Sequence, residues 1–234
     1  SQSIRISIVA ATDIHRNVEV PVLCPDGLQD GGFCENMAAQ YPGFAGMFVN
    51  GGAVILSDGD RIDSYARPFR WFANHVLAAA DDPSAIREAV GKGRGFAAFD
   101  ILGLPEGFDF FGELPDGTIV EMGQEVKGVD AITLHVRTPK LTTPPWSTLP
   151  DGIDYAQAQV KTRLIRVRPD NPMSAELSGQ GQTMSVKLDG GDQVGVFRIE
   201  ATVVPKHFAG ALGSQSALAD GSYPYIYSNA IFVR

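Results

Sequence analysis

Among 234 residues there are only two cysteines, four histidines and two tryptophans, and no long apolar run. A membrane-spanning helix needs about 20 consecutive apolar residues, whereas runs such as Ala53 to Leu56 are cut short by Ser57 and Asp58. No helical membrane span is therefore expected. Positive charge is also scarce. Nineteen Lys and Arg face 27 carboxylates, for a net charge of −8, and the nearest thing to a basic cluster is the spaced set Lys161, Arg163, Arg166, Arg168. Neutralising a phosphate backbone takes a concentrated basic surface, so nucleic acid is excluded as an expected partner. The cysteines form no C-x-x-C and have no histidine pair beside them, which excludes a zinc finger or ribbon. With 26 glycines, 15 prolines and 44% hydrophobic residues, the composition is neither collagen-like nor disordered, and the chain is long enough to bury a substantial core.

What is present begins with alternation. Ile4, Ile6, Ile8, Ala10, Thr12 and Ile14 fall on one face of a strand spanning 3–15, and Ser3, Arg5, Ser7, Val9, Ala11, Asp13 and His15 on the other, as period 2 requires. Residues 17–66 read as a long glycine-rich irregular region, packed down through Phe33, Tyr41, Phe44 and Phe48. It contains Cys24 and Cys34, read either as a disulfide, which persists only in an oxidising compartment, or as two separate thiols. The first residues show no Met and no leader pattern, so Ser1 is not expected to be a translation start.

Pro68 followed by Phe69, Phe72, Ala73, Val76, Leu77 and Ala80 has helical spacing. A second helix is marked by Asp82 as N-cap, Pro83 at the first position, inward Ile86, Ala89 and Val90, and Gly91 or Gly93 as its end. Arg94–Leu102 reads as a buried strand. Beyond Gly107 the pattern is all-β, with seven strands expected at 108–114, 118–122, 131–137, 157–168, 183–188, 194–204 and 225–233. A two-sheet sandwich of immunoglobulin-like type closes such a set. The fold class expected is α+β, in two domains, 1–107 and 108–234.

Asp13-Ile14-His15 carries the sharpest chemistry. Residues i and i+2 of a strand project the same way, about 6.5–7 Å apart, so a carboxylate and an imidazole at a strand end can reach one ion or two neighbouring ions. That donor set suits zinc, manganese or iron; an Asp that merely orients a His gives the same dipeptide. The other histidines read more plainly: His75 as a helix-surface or interdomain contact, His135 on the wet face of its strand, and His207 in a loop at a strand end. Asp58, Asp60 and Asp63 lack the oxygen-ligand spacing of a calcium loop. Gly91-Lys92-Gly93-Arg94-Gly95 lacks the flanking strand and helix of a phosphate loop and reads as a helix stop. Tyr223, Tyr225 and Tyr227 alternate and read as sheet packing or a sugar-stacking face.

Taken together, TDIHRN at a strand end, a long loop, ARPFRWFANHVLA, DPSAIREAVGKGRGFAAFDILG and a β-rich tail resemble the C-terminal part of PHP-type (polymerase and histidinol phosphatase) metal-dependent hydrolases. The likeness covers about the first 110 residues. It implies that residues 1–107 are the C-terminal part of a PHP-like α/β barrel, that Asp13 and His15 match a D-x-H metal-ligand pair, and that Ile86 to Leu102 packs on the barrel. It also implies a divalent cofactor (Zn, Mn or Fe), a small-molecule ester substrate, mostly phosphoesters, and attack by metal-activated hydroxide. The chain departs from that family in having no H-x-H anywhere and only His15, His75, His135 and His207. The remaining ligands are then expected from a complementary N-terminal polypeptide, or the domain is truncated and inert. Such a polypeptide, or a homo-oligomer mate, would cover the Ile-rich first strand. The contrasting expectation is a non-catalytic periplasmic or secreted β-sandwich that binds a glycan or protein partner.

Overall fold

The computed structural model describes residues 19–20, 22–40, 42, 45–53, 70–145, 152–168 and 170–234. The expected strand 3–15, with Asp13 and His15, and the Asp58 to Asp63 turn lie outside the described residues. The described residues fall into two compact units divided between Trp71 and Phe72.

The smaller unit turns the expected irregular region into short elements. Strand β1 (Glu19–Val20) pairs antiparallel with β2 (Gly52–Ala53), and between them lie helices α1 (Phe33–Gln40) and α2 (Ala45–Asn50). Asp30 starts α1 by accepting from the backbone N–H groups of Gly32, Glu35 and Cys34. Those bonds hold its carboxyl below the usual carboxylate range. Cys24 and Cys34 are joined as a disulfide, with Cα atoms 5.9 Å apart, and with Phe48 they form a small core against Leu28 and Met37. So small a core gains from a covalent tie, which on the chain-entropy picture contributes about 3 kcal/mol.

The larger unit opens with strand β3 (Ala73–Val76), helix α3 (Pro83–Gly91) and strand β4 (Gly95–Ala98). The helical spacing read through residues 68–80 does not produce a helix at Ala73–Val76. That segment pairs antiparallel with β4, Ala73 opposite Ala98 and Val76 opposite Gly95. Gly95 makes the approach possible, since a Cβ there would sit 2.4 Å from the His75 carbonyl oxygen. Tertiary pairing overrides a weak local preference.

Helix α3 forms where its end signals put it. Asp82 Oδ1 accepts from Ser84 N at 2.8 Å and Ala85 N at 3.0 Å, Pro83 occupies the first turn, and Gly93 at φ 68° turns the chain into β4. Ala89 is buried as expected, but Ile86 and Val90 are exposed at 40% and 42%.

The remaining strands are β5 (Leu104–Glu106), β6 (Asp109–Glu113), β7 (Ile119–Glu121), β8 (Glu125–Val126), β9 (Ala131–Arg137), β10 (Lys140–Thr142), β11 (Gln159–Val167), β12 (Met173–Ser178), β13 (Thr183–Asp189), β14 (Gly195–Val204), β15 (Tyr223–Ser228) and β16 (Ile231–Val233). One sheet runs β12-β11-β14-β15-β4-β3, with β16 between β14 and β8; a second runs β13-β9-β6-β7; and β10 pairs with β5. Alternation in β9 and β11 sends one row of side chains inward. The two larger sheets share a core, in which Phe110, Ile132, Leu134 and Val136 of one meet Leu164, Phe197, Ile199 and Ile226 of the other. The unit is thus mixed α+β and strand-rich, and among the described residues no sheet closes into a barrel. Strands β3 and β4 precede Gly107, yet β4 hydrogen-bonds to β15 near the C-terminus.

The expected strand 225–233 is two. Between β15 and β16, Asn229 N donates to Gly95 O and Ala230 O accepts from Gly123 N, so the chain steps from the β4 edge to β8.

Candidate functional site

Strand β3 places His75 opposite Phe96 of β4, and the imidazole lies flat on the Phe96 ring, centroids 4.8 Å apart at 2°. Its Nε2 is 2.9 Å from Asp100 Oδ1. Asp100 opens a single 3-10 turn, Asp100–Leu102, directly after β4, and is 1% exposed. The stretch expected as one strand to Leu102 therefore ends early, and the turn swings a carboxylate under the imidazole. A neutral His75 donates from Nε2 to that carboxylate and presents the Nδ1 lone pair, as oriented bases and metal-ligating histidines do. Next to this pair, the Tyr225 hydroxyl donates to Gly103 O at 2.8 Å. Burial, with a smaller push from the Asp100 charge, raises its pKa far above the usual tyrosine value.

A cleft of about 130 Å³ opens beside His75, lined among others by Asn74, Val90, Arg94 and Asn229. Arg94 Nε is 2.9 Å from Glu121 Oε2. The cleft is mostly apolar, with Val76, Val90 and Phe96 beside an imidazole oriented by Asp100 from behind, and an oriented imidazole is one element that general acid–base chemistry requires. Sequence reading placed His75 on a helix surface and gave Asp100 no role. The available signal was an Asp closing an otherwise apolar strand.

Of the other residues singled out in the sequence, Tyr225 is buried in the core beside this pair, and His135 lies apart, facing outward from β9. His207 is buried rather than looped out. It sits in the turn Lys206–Phe208 with Nε2 3.0 Å from the Leu102 carbonyl oxygen, so it donates there, while Nδ1 is buried with no partner among the described residues. Burial pushes its pKa below 6.5, against the raising effects of the Leu102 bond and the Asp154 charge.

A histidine with a folded-state value below its unfolded one binds protons more readily when unfolded. Its contribution is therefore intact above pH 6.5 and is lost as pH falls through the folded value. Urea titrations at about pH 7.5 and about pH 5.5 should show a smaller acid loss for His207→Gln than for the parent chain. Equal losses would mean that His207 carries none of the pH dependence.

Asp13 and His15 lie outside the described residues, and among the described residues no three His, Cys, Asp or Glu side chains gather as a metal site. No family model, curated protein or solved structure matches the chain.

Proposed function

We propose that this chain is the C-terminal portion of a PHP-type metal-dependent hydrolase of phosphoesterase class. In this reading Asp13 and His15 hold a divalent ion (Zn, Mn or Fe), and the other ligands come from a complementary N-terminal polypeptide or a homo-oligomer mate. Residues 1–107 are then read as the end of a PHP-like barrel and 108–234 as an immunoglobulin-like sandwich whose larger sheet β3 and β4 extend through β15.

The observation that carries the reading is the block from Asp82 to Leu102. The segment that bears the family likeness is built as a capped helix, a left-handed glycine stop and a strand buried at every residue, which suits an element that packs on a larger body. When bound, the ion would act as a Lewis acid toward the phosphoryl oxygen. Asp13 and His15 contribute charge and imidazole to hold it. The Cys24–Cys34 disulfide supports a periplasmic or secreted location.

In the assembled protein, Asp13→Ala and His15→Ala should each lower bound metal and p-nitrophenyl phosphate hydrolysis by about tenfold or more. Unchanged metal stoichiometry in both variants rejects the assignment. A second reading, an extracytoplasmic binding module for a glycan or protein, is favoured by the same disulfide together with the wet outer face of β13, β9 and β6.

A further inference from the structure

The outward face of the β13-β9-β6 sheet holds a cluster that the hydrolase reading does not use. Register puts Ser185 opposite His135 and His135 opposite Phe111. Glu113 lies two residues beyond Phe111 on β6 and so on the same face. Ser185 Oγ is 2.9 Å from His135 Nδ1, and His135 Nε2 is 3.3 Å from Glu113 Oε2.

The imidazole is stacked on Phe111, centroids 4.8 Å apart at 19°, which fixes its plane. Nε2 is shielded from solvent and has no hydrogen-bond partner among the described residues. Glu113 Oε2 stands 3.3 Å away out of hydrogen-bond alignment, so its charge rather than a bond favours the tautomer with the proton on Nε2. Nδ1 is then the acceptor and the serine hydroxyl the donor. Ser185 itself is exposed, and Lys187 on the same face of β13 is exposed too, its Nζ 3.4 Å from Asp189 Oδ2.

A serine hydroxyl bonded to an imidazole whose plane is held by a ring stack and whose far nitrogen faces a carboxylate is an arrangement that activates a weak nucleophile. We propose that Ser185 is the nucleophile of an acyl-transfer site, with His135 as its base and Glu113 as a positioning residue, acting on activated carboxylic esters. Ser185 Oγ attacks the acyl carbon as its proton passes to His135 Nδ1. The bond from the acyl carbon to the leaving oxygen then breaks, and that oxygen departs with the electron pair and takes the proton from His135. Water repeats the sequence on the acyl-serine and releases the acid. The ladder uses the strands' own N–H groups, so no backbone oxyanion hole is offered, and Lys187, itself shared with Asp189, is left to meet charge on the acyl oxygen. The site is accordingly restricted to esters with good leaving groups.

The test is acylation of the full chain by p-nitrophenyl acetate, followed by peptide mass spectrometry. The expected result is an acetyl group on Ser185 and a burst of nitrophenolate, both lost in Ser185→Ala. His135→Phe keeps the stack on Phe111 but cannot accept a proton, and should slow acetylation of Ser185 about 100-fold. Glu113→Gln should slow it about tenfold, and Glu113→Asp, which restores a carboxylate, should recover part of that rate.

Acetyl groups on lysines alone overturn the proposal, as does a folded His135→Phe chain that acetylates Ser185 at the parent rate. If His135→Phe does not fold, the two Glu113 variants decide, and equal acetylation rates in Glu113→Gln and Glu113→Asp overturn it. Stripping the protein of divalent metal with a chelator should leave Ser185 acylation unchanged, which separates this site from the metal reading.

Discussion

Gly123→Ala should destabilise the larger unit by about 3 kcal/mol, the sum of overpacking and of a left-handed backbone imposed on a side chain. Gly123 lies between β7 and β8 at φ 83°. A Cβ added there would sit 2.0 Å from the Lys92 carbonyl oxygen and 2.7 Å from the Gly93 backbone, where α3 ends. Backbone cannot step aside as a side-chain tip does. Gly123 N also donates to Ala230 O at 2.8 Å, so moving this turn disturbs the step between β15 and β16 as well. The check is urea unfolding, with a lowered midpoint and an unchanged slope expected. A variant within about 0.5 kcal/mol of the parent would show that the turn does not press on the end of α3.

Arg166→Met should cost about 2–4 kcal/mol. Arg166 projects inward from β11 and is 4% exposed. Its Nε donates to Asn171 O at 2.9 Å, and its Nη1 donates to both the backbone oxygen and Oδ1 of Asp192. One side chain thus ties the turn before β12 to the turn before β14. Methionine retains the aliphatic packing but leaves these carbonyls without their donor. Asp192→Asn should cost well under half as much, because the Asp192 side chain is 59% exposed and exposed ion pairs contribute about 0–1 kcal/mol. Comparable losses in the two variants would place the stabilisation in the ion pair rather than in the carbonyl clamp.

Elements with local signatures were legible in the sequence. Asp82, Pro83 and Gly93 delimit α3 by capping and backbone geometry that neighbours barely influence. The alternations in β9, β13 and β14 survive because each strand has one buried face. Strand β12 was missed because its outward residues, Ser174, Glu176 and Ser178, have little intrinsic strand preference. It exists through its pairing with β11, Leu164 opposite Ala175 and Arg166 opposite Met173. The β3 segment was misread for the opposite reason, a helix-like spacing in a stretch whose conformation is set by the backbone of β4.

The candidate sites divide in the same way. Asp13 and His15 are adjacent in sequence and can be picked out by eye. His75 with Asp100, and Ser185 with His135 and Glu113, are brought together only by strand register, with separations of 25 residues for the first pair and 50 for Ser185 and His135. No spacing rule reaches across such gaps.

The central claim, a hydrolase portion whose ion is held jointly with another chain, is tested most directly by elemental analysis of the native preparation together with intact-mass detection of its polypeptides. The expected result is a divalent transition metal in stoichiometric amount and a second polypeptide, or a second copy of this chain, that co-purifies with it. Metal-free protein running as a single uncomplexed chain would contradict the claim and favour the binding module.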